Sequence, residues 1–460
     1  MKTLADVTNQ INALRAGSVA RRTGFDLAAR QAALSRLAAM VRNHRAEIAA
    51  AVAADMGKPA TEADLVEVLP VLAEIAHAKR HLAGWMRPRR AWPTLLMLGT
   101  SAAVHPEPKG VALILAPWNF PFLLALVPVV SAIAAGNAVV VKPSEMTPAT
   151  SALIARLLPP ALPGLAMVVQ GGADVAQAIL ALPLDHIFFT GSPAVGRLVM
   201  AAAARNLVPV TLELGGKSPV VLGQDADIAR AAKWVAWGKV LNSGQICVAP
   251  DHVFVPESLM APFTATLRAQ VQAMARGGVT AIVNDHHYAR LTRLIEDARA
   301  KGAAIDALGE DRPDDRHMAT RLVTGTTAEM ELSSEEIFGP LLPLIPYRDL
   351  ADPIAAINAG PKPLTLYAFG GATLADRLRA ETSSGSIGVN LTVMPFIHSN
   401  LPFGGVGNSG MGSGHGKAGF DTFSHLKPVL KNRFTLLPLL FPPYTGRVKR
   451  LKDLVMRVLR

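Results

Sequence analysis

The sequence predicts an α/β protein built on a parallel, doubly wound sheet, on three observations. Five short apolar runs follow one another: Val111–Leu115, Ala138–Val141, Ala166–Val169, His186–Phe189 and Pro209–Leu214. Ala/Leu-rich segments of helical pattern lie between them, and alternation of buried strands with helices is the signature of parallel sheets covered on both faces. The chain has 460 residues, half of them hydrophobic and 18% charged. That is too much apolar material for one ordinary core and sets the expectation of two or three domains.

The elements follow in order. Leu34, Leu37, Val41, Ile48 and Val52 recur at helical spacings and make one apolar face ahead of the sheet. Gly57 and Pro59 punctuate it, and a Pro/Arg/Trp-rich stretch, Met86–Pro93, ends the helical region. The stretch 111–141 is apolar, but Pro117, Asn119, Pro121, Pro128 and Asn137 interrupt it. A membrane helix needs about 20 uninterrupted residues, so the expectation is strand, loop and helix. A second α/β region runs from about 216 to 415, with Val220–Leu222, His252–Val255 and Ser386–Asn390 as its strands.

The tail differs in character. Residues 445–460 carry Arg447, Lys449, Arg450, Lys452, Arg457 and Arg460 against Asp453, with Val448, Leu451, Leu454, Val455, Val458 and Leu459 on a helical stripe. A basic amphipathic helix can lie on an anionic membrane surface. Docking on its own chain or on a second subunit is the commoner meaning of such a stripe, and the one expected here. The formal charge of +11 permits an anionic cofactor or a membrane surface, and no nucleic-acid module is present. The segment Met1–Asp6 has no apolar run behind its lysine, and one cysteine fits a reducing compartment, so a cytoplasmic location is expected.

That cysteine, Cys247, closes the run Asn242-Ser243-Gly244-Gln245-Ile246-Cys247. Free cysteines are usually buried packing, but a lone thiol has only nucleophilic covalent chemistry open to it, and these neighbours favour that role. Glu213 stands in an apolar strand end before Gly215-Gly216, where desolvation would make it a base near neutral pH; a capped or paired glutamate is equally consistent with the pattern. Asn119, between Pro117 and Pro121, follows the first strand and could donate to a developing oxyanion or merely satisfy its loop. Lys142 and Glu145 lie just past another strand end and could read a ribose and phosphate, or form a surface pair. Gly191-Ser192-Pro193-Ala194-Val195-Gly196 follows a strand and opens a helix, a place where exposed amides suit a pyrophosphate or simply make a tight turn. Glu336, Phe338 and the run Pro402–Gly407 are loop-like. No metal site is expected.

Together and in this order these segments resemble the aldehyde dehydrogenase superfamily over about residues 20–432. The run Pro402–Gly412, followed by His415-Gly416 and Phe423-Ser424-His425, is similar to the class 3 branch, which includes fatty, aromatic and coniferyl aldehyde dehydrogenases. The resemblance implies a Rossmann-like cofactor domain (1–93 and 108–212) and an α/β catalytic domain (213–417). It also implies a bridging arm (94–107 and 418–432) that makes homodimers, with 433–460 as a basic tail near the subunit interface. It further implies that Cys247 attacks the aldehyde, that Asn119 and the Cys247 N–H hold the oxyanion, and that Glu213 activates the water that releases the acid. NAD or NADP would be held by Lys142, Glu145, the 191–196 turn, Glu336 and Phe338. Glu213 speaks against a CoA-acylating branch. Three departures stand out: Ile246 where threonine is frequent, Pro193 in place of a hydroxyl residue, and a loop 391–399 unlike that of coniferyl-type members. The rival readings are a semialdehyde-specific or CoA-acylating enzyme and a non-catalytic binding or structural protein on the same scaffold.

Overall fold

A computed structural model describes residues 4–458. It opens with four helices, α1 (Leu4–Ala16), α2 (Ser18–Gly24), α3 (Leu27–Asn43) and α4 (Arg45–Met56). The apolar face expected across residues 34–52 is buried throughout, but it belongs to two helices, because the backbone leaves helical geometry at His44. Asp26 caps α3 by accepting from Ala29 N–H at 2.9 Å, and Gly57, at φ +62°, ends α4 in the left-handed conformation that glycine adopts without strain.

Two strands follow, β1 (Arg89–Ala91) and β2 (Thr100–Pro108), and then the five that the apolar runs predicted: β3 (Val111–Leu115), β4 (Ala138–Lys142), β5 (Ala166–Val168), β6 (His186–Gly191) and β7 (Val210–Leu214). These five are parallel, in the spatial order β7-β6-β3-β4-β5. Alternate residues of β3 feed two different cores. Ala112 and Ile114 pack under the helix Leu123–Ala135, whereas Val111, Leu113 and Leu115 face α1 and its neighbours. Burial on both faces explains why the run is continuously apolar; each such Leu or Ile contributes about 1.5–3 kcal/mol.

The second sheet holds β8 (Pro219–Leu222), β9 (His252–Pro256), β10 (Ala304–Ala307), β11 (Arg321–Thr324), β12 (Leu341–Tyr347), β13 (Thr365–Phe369) and β14 (Ser386–Val389), ordered β10-β11-β12-β9-β8-β13-β14. Two short returns complete the chain. β15 (Gly410–Met411) pairs antiparallel with β7, placing Gly410 opposite Glu213. β16 (Ser424–Asn432) lies along β2 to make a three-stranded arm with β1.

Some expected boundaries shift. Residue 213 lies inside the first sheet, and 410–411 return to it, so the division at 212/213 cuts through β7. The arm's hairpin begins at Arg89 rather than at 94, and residues 418–422 are part of the helix Gly416–Thr422. The tail forms a helix, Gly446–Val458, with no buried residue; it packs on the short turn Leu437–Leu440 of its own chain. Leu459 and Arg460, the last members of its stripe and basic set, lie outside the described residues. Among the described residues, no helix is long and apolar enough to cross a membrane.

Candidate active site

The loops following β3, β6 and β7 leave the carboxyl edge of the first sheet, where open α/β sheets place their ligands. Cys247 reaches this edge from the second unit on a loop that starts with unusual backbone. Asn242 and Ser243 both have φ +51°, and Gly244 has φ +70°. Non-glycine residues pay for such geometry, and here the surroundings hold it. Gly244 lies against the Gly339 carbonyl with no room for a Cβ. Gln245 is pinned on every side. Its side chain donates to the carbonyls of Asn242 (3.1 Å) and Ala281 (3.0 Å) and accepts from Val283 N–H (3.1 Å). Beyond the cysteine, Tyr367 Oη donates to Val248 O at 2.6 Å, and Lys239 Nζ donates to Pro250 O at 2.9 Å.

Asn119 joins the same loop. Its side-chain Nδ2 donates to Gln245 O at 3.0 Å, an acceptor shared with Asn242 Nδ2 at the same distance. One amide hydrogen of Asn119 is therefore engaged two residues before the thiol, and the other remains to donate elsewhere. The Asn119 loop is anchored in turn by a fully buried ion pair. Lys58 Nζ meets Glu67 Oε1 at 2.7 Å and lies 4.3 Å from the Phe120 ring centroid, while Glu67 Oε2 accepts from Phe122 and Leu123 N–H groups. Lys58 and Glu67 were not legible as site residues, since each is an ordinary polar residue until the fold brings it here, whereas Asn242 and Gln245 stood in the run that marked the cysteine.

Glu213 and Cys247 line one small cavity of about 30 Å³, with Thr190, His415 and Phe403. Neither carboxylate oxygen of Glu213 has a hydrogen-bond partner, although both are buried. The nearest backbone donor, Gly414 N–H, is committed to Phe403 O at 2.7 Å. Burial therefore pushes this carboxyl well above its ordinary range, with Gly414 only weakly opposing it. The Cys247 thiol is pushed up to about 12, by burial first and then by the carboxylates of Glu336 and Glu213; the N–H groups of Cys247 and Val248 pull the other way. Burial thus favours the protonated form of both groups in the resting protein.

Cys247 also forms the floor of a second, much larger cavity of about 530 Å³. Its walls are mostly apolar, with Phe120, Leu124, Trp237, Ile246, Val393 and Phe396 among them and Thr61 and Glu62 as polar members. Ile246 and the divergent 391–399 loop therefore shape this chamber directly.

The residues expected at a cofactor fall in three places. Lys142 ends β4 and is buried, its Nζ held by Glu145 at 2.7 Å and by Pro143 O at 3.2 Å, so the pair is half-buried rather than a surface one. At the end of β6, Ser192 caps the helix Pro193–Ala204 by accepting from Val195 N–H at 3.4 Å. Pro193 has no N–H and Gly196 N–H bonds Ser192 O, which leaves Ala194 to offer its amide at this helix start. A Cβ on Gly196 would come within 2.7 Å of Leu214, and Gly191 has Phe189 in the corresponding space, so the turn is close-packed behind and open in front. Glu336, buried against Gly215, is pushed up to about 8 by burial, partly offset by Gly216 N–H. Phe338 holds φ +45° with its ring edge-on to Trp118 at 5.3 Å.

Two α/β units that meet over a single half-buried thiol, with an open glycine turn on the first, define an oxidoreductase-type layout for a dinucleotide and an apolar substrate. The chain belongs to the aldehyde dehydrogenase family, whose model matches residues 2–429, and to its class 3-like branch. It is 41% identical over 436 residues to a Caulobacter vibrioides protein named "Probable coniferyl aldehyde dehydrogenase", covering 91% of this chain and 90% of that one. It is 40% identical over 405 residues to aldehyde dehydrogenase family 3 member A2 of Macaca fascicularis, covering 86% and 82%. Among solved structures, a substrate-bound Staphylococcus aureus AldH superposes with a TM-score of 0.93 at 36% identity, covering 99% of this chain and all of that one. The protein is an aldehyde dehydrogenase: it oxidises aldehydes to carboxylic acids with NAD(P).

Proposed function

We propose that Cys247 is the nucleophile and Glu213 the water-activating base, and that the substrate is a medium- or long-chain aliphatic or aromatic aldehyde. The observation that carries this reading is the shared cavity. A volume of about 30 Å³ is enough for one or two waters, and it is lined by an unpartnered carboxyl and by the thiol, which also lines the apolar chamber. The Cys247 sulfur adds to the aldehyde carbon as its proton passes through water in the small cavity to solvent, giving a thiohemiacetal oxyanion. The remaining Asn119 amide hydrogen and the Cys247 N–H donate to its oxyanion. When bound, NAD(P)⁺ supplies the acceptor for the hydride that leaves this carbon, so the adduct becomes a thioester. Glu213 takes a proton from water as it attacks the thioester carbon. The C–S bond breaks, the acid departs and the thiol is restored.

The 191–196 turn fits a pyrophosphate, Lys142 and Glu145 fit the adenosine ribose or its phosphate, and Glu336 with Phe338 fit the nicotinamide ribose. Glu145 favours NAD⁺ through ribose hydroxyls. The chamber's apolar walls support a hydrophobic chain or ring over a charged semialdehyde, and the curated relatives' names agree with that class. A cytoplasmic homodimer assembled through the three-stranded arm completes the reading. The test is NAD(P)H formation at 340 nm with octanal, benzaldehyde, coniferaldehyde and succinic semialdehyde, with both coenzymes. Turnover of the first three that is lost in Cys247→Ala is the expected result. A preference for succinic semialdehyde, or acyl-CoA as product when CoA is added, would overturn the substrate assignment.

A further inference from the structure

At the amino ends of β3 and β6, opposite the edge that carries Cys247, lies a second, polar cavity of about 250 Å³. Arg15 from α1 and Arg21 and Arg22 from α2 line one wall; Lys109, from the connection between β2 and β3, and Asp185, just before β6, line the other. Four cationic side chains thus face one carboxylate. That carboxylate attracts Arg21 but carries one charge against four. Asp185 Oδ2 accepts from Val111 N–H at 2.7 Å and fills the space where Gly110 lacks a Cβ, so it serves the sheet's own backbone.

Arg21 is the telling member. It is only 9% exposed, and its Nη2 is buried with no hydrogen-bond partner. A buried guanidinium nitrogen without an acceptor is costly, and native proteins satisfy nearly all such groups. Lys109 is similarly placed: its Nζ approaches the ring Nδ1 of His186 at 3.1 Å rather than an acid, and burial lowers it to about 8. An incoming anion would supply acceptors to the guanidinium and favour the charged form of the lysine. At about 250 Å³ the cavity far exceeds the roughly 30 Å³ that one water occupies in the liquid, so it has room for an oxyanion.

We propose that this cavity binds a small phosphate-type dianion, either inorganic phosphate or the phosphoryl group of a monoester, at a site separate from the coenzyme. The arrangement of cations on both walls matches three or four acceptor oxygens on a compact anion, and arginine is the side chain best suited to bind them in pairs.

The test is isothermal calorimetry and thermal unfolding of the full-length protein in saturating NAD⁺, which occupies the 191–196 turn. Inorganic phosphate and glycerol 3-phosphate are titrated at constant ionic strength against chloride. The expected result is saturable binding with a matching rise in Tm. Tighter binding of phosphate assigns the free ion, and tighter binding of the ester assigns the phosphoryl group of a larger ligand. Arg21→Met should raise Kd at least tenfold. Should that variant not fold, the surface double variant Arg15→Gln/Arg22→Gln still weakens binding while aldehyde turnover stays unchanged. A Tm rise no larger than with chloride, or binding unaffected by both variants, would overturn the proposal.

Discussion

Two buried carboxyls, one on each side of the cysteine loop, have opposite surroundings. Asp251, behind the loop, is saturated with partners. Its Oδ1 meets Lys217 Nζ at 2.6 Å and His252 Nδ1 at 3.0 Å, and its Oδ2 accepts from Ile337 N–H at 3.0 Å. Burial alone would raise this group, but Lys217, His252 and Lys239 outweigh it and hold the carboxyl far below its usual range. Glu213, in front, is also buried, and neither of its oxygens has a hydrogen-bond partner. The same chemical group is thus held as an anion that braces the loop on one side and has a raised affinity for a proton on the other. The difference lies in how many donors the fold aims at it, not in depth.

Replacing each carboxyl by its amide separates the two roles. Glu213→Gln should lower steady-state turnover by about 10²–10⁴-fold. A first-turnover burst of NAD(P)H should survive, because thiol addition and hydride loss do not need the base. Loss of the burst along with turnover would mean that Glu213 also deprotonates the thiol. Asp251→Asn should act on stability instead. Removing one partner of a buried charge network costs about 3–5 kcal/mol, read as a lower Tm and urea midpoint. If Glu213→Gln proved the more destabilising of the two, the contrast would fail.

Stability against pH sharpens it further. Asp251 has a depressed folded value, so its contribution is present above the ordinary value of 3.8 and is lost as pH falls below it. Glu213 has a raised folded value. Wild-type stability therefore declines as pH rises from the ordinary 4.5 toward the folded value, by about 1.4 kcal/mol for each unit separating the two. Glu213→Gln should gain Tm relative to wild type over that window, and Asp251→Asn should lose its disadvantage in acid. Parallel pH curves for the three proteins would contradict the assignment. The smallest effect is expected at Asn242, whose Nδ2 bonds to Asn119 O and Gln245 O are each 3.0 Å. Asn242→Ala should cost about 1–3 kcal/mol of stability and should lower kcat more than it raises KM.

The sequence made the first sheet readable because β3 to β7 are central and covered on both faces, so hydrophobicity alone marked them. The second sheet was only half visible. β10 is an exposed edge strand, and β12 contains Pro343 and Pro346, residues that strands seldom carry. Of the candidate site, Cys247, Glu213 and Asn119 were legible because local residues frame them. Asp251, Lys217 and the Lys58–Glu67 pair were not, since their meaning comes from partners such as Asn119, 61 residues away from Lys58. The tail's amphipathic pattern correctly announced a helix, but pattern says nothing about which surface covers it.

The two-residue strand β15 beside Glu213 also has a consequence for biosynthesis. When Glu213 leaves the ribosome, nearly 200 residues must still be added before Gly410 arrives to pair with it. At about 5–20 residues per second this takes roughly 10–40 s. Throughout that interval the outer edge of β7 offers unpaired backbone to any neighbouring nascent chain. This late segment thus acts as the stopper on the sheet, and a ribosome that stalls short of residue 410 releases a product with the β7 edge uncovered.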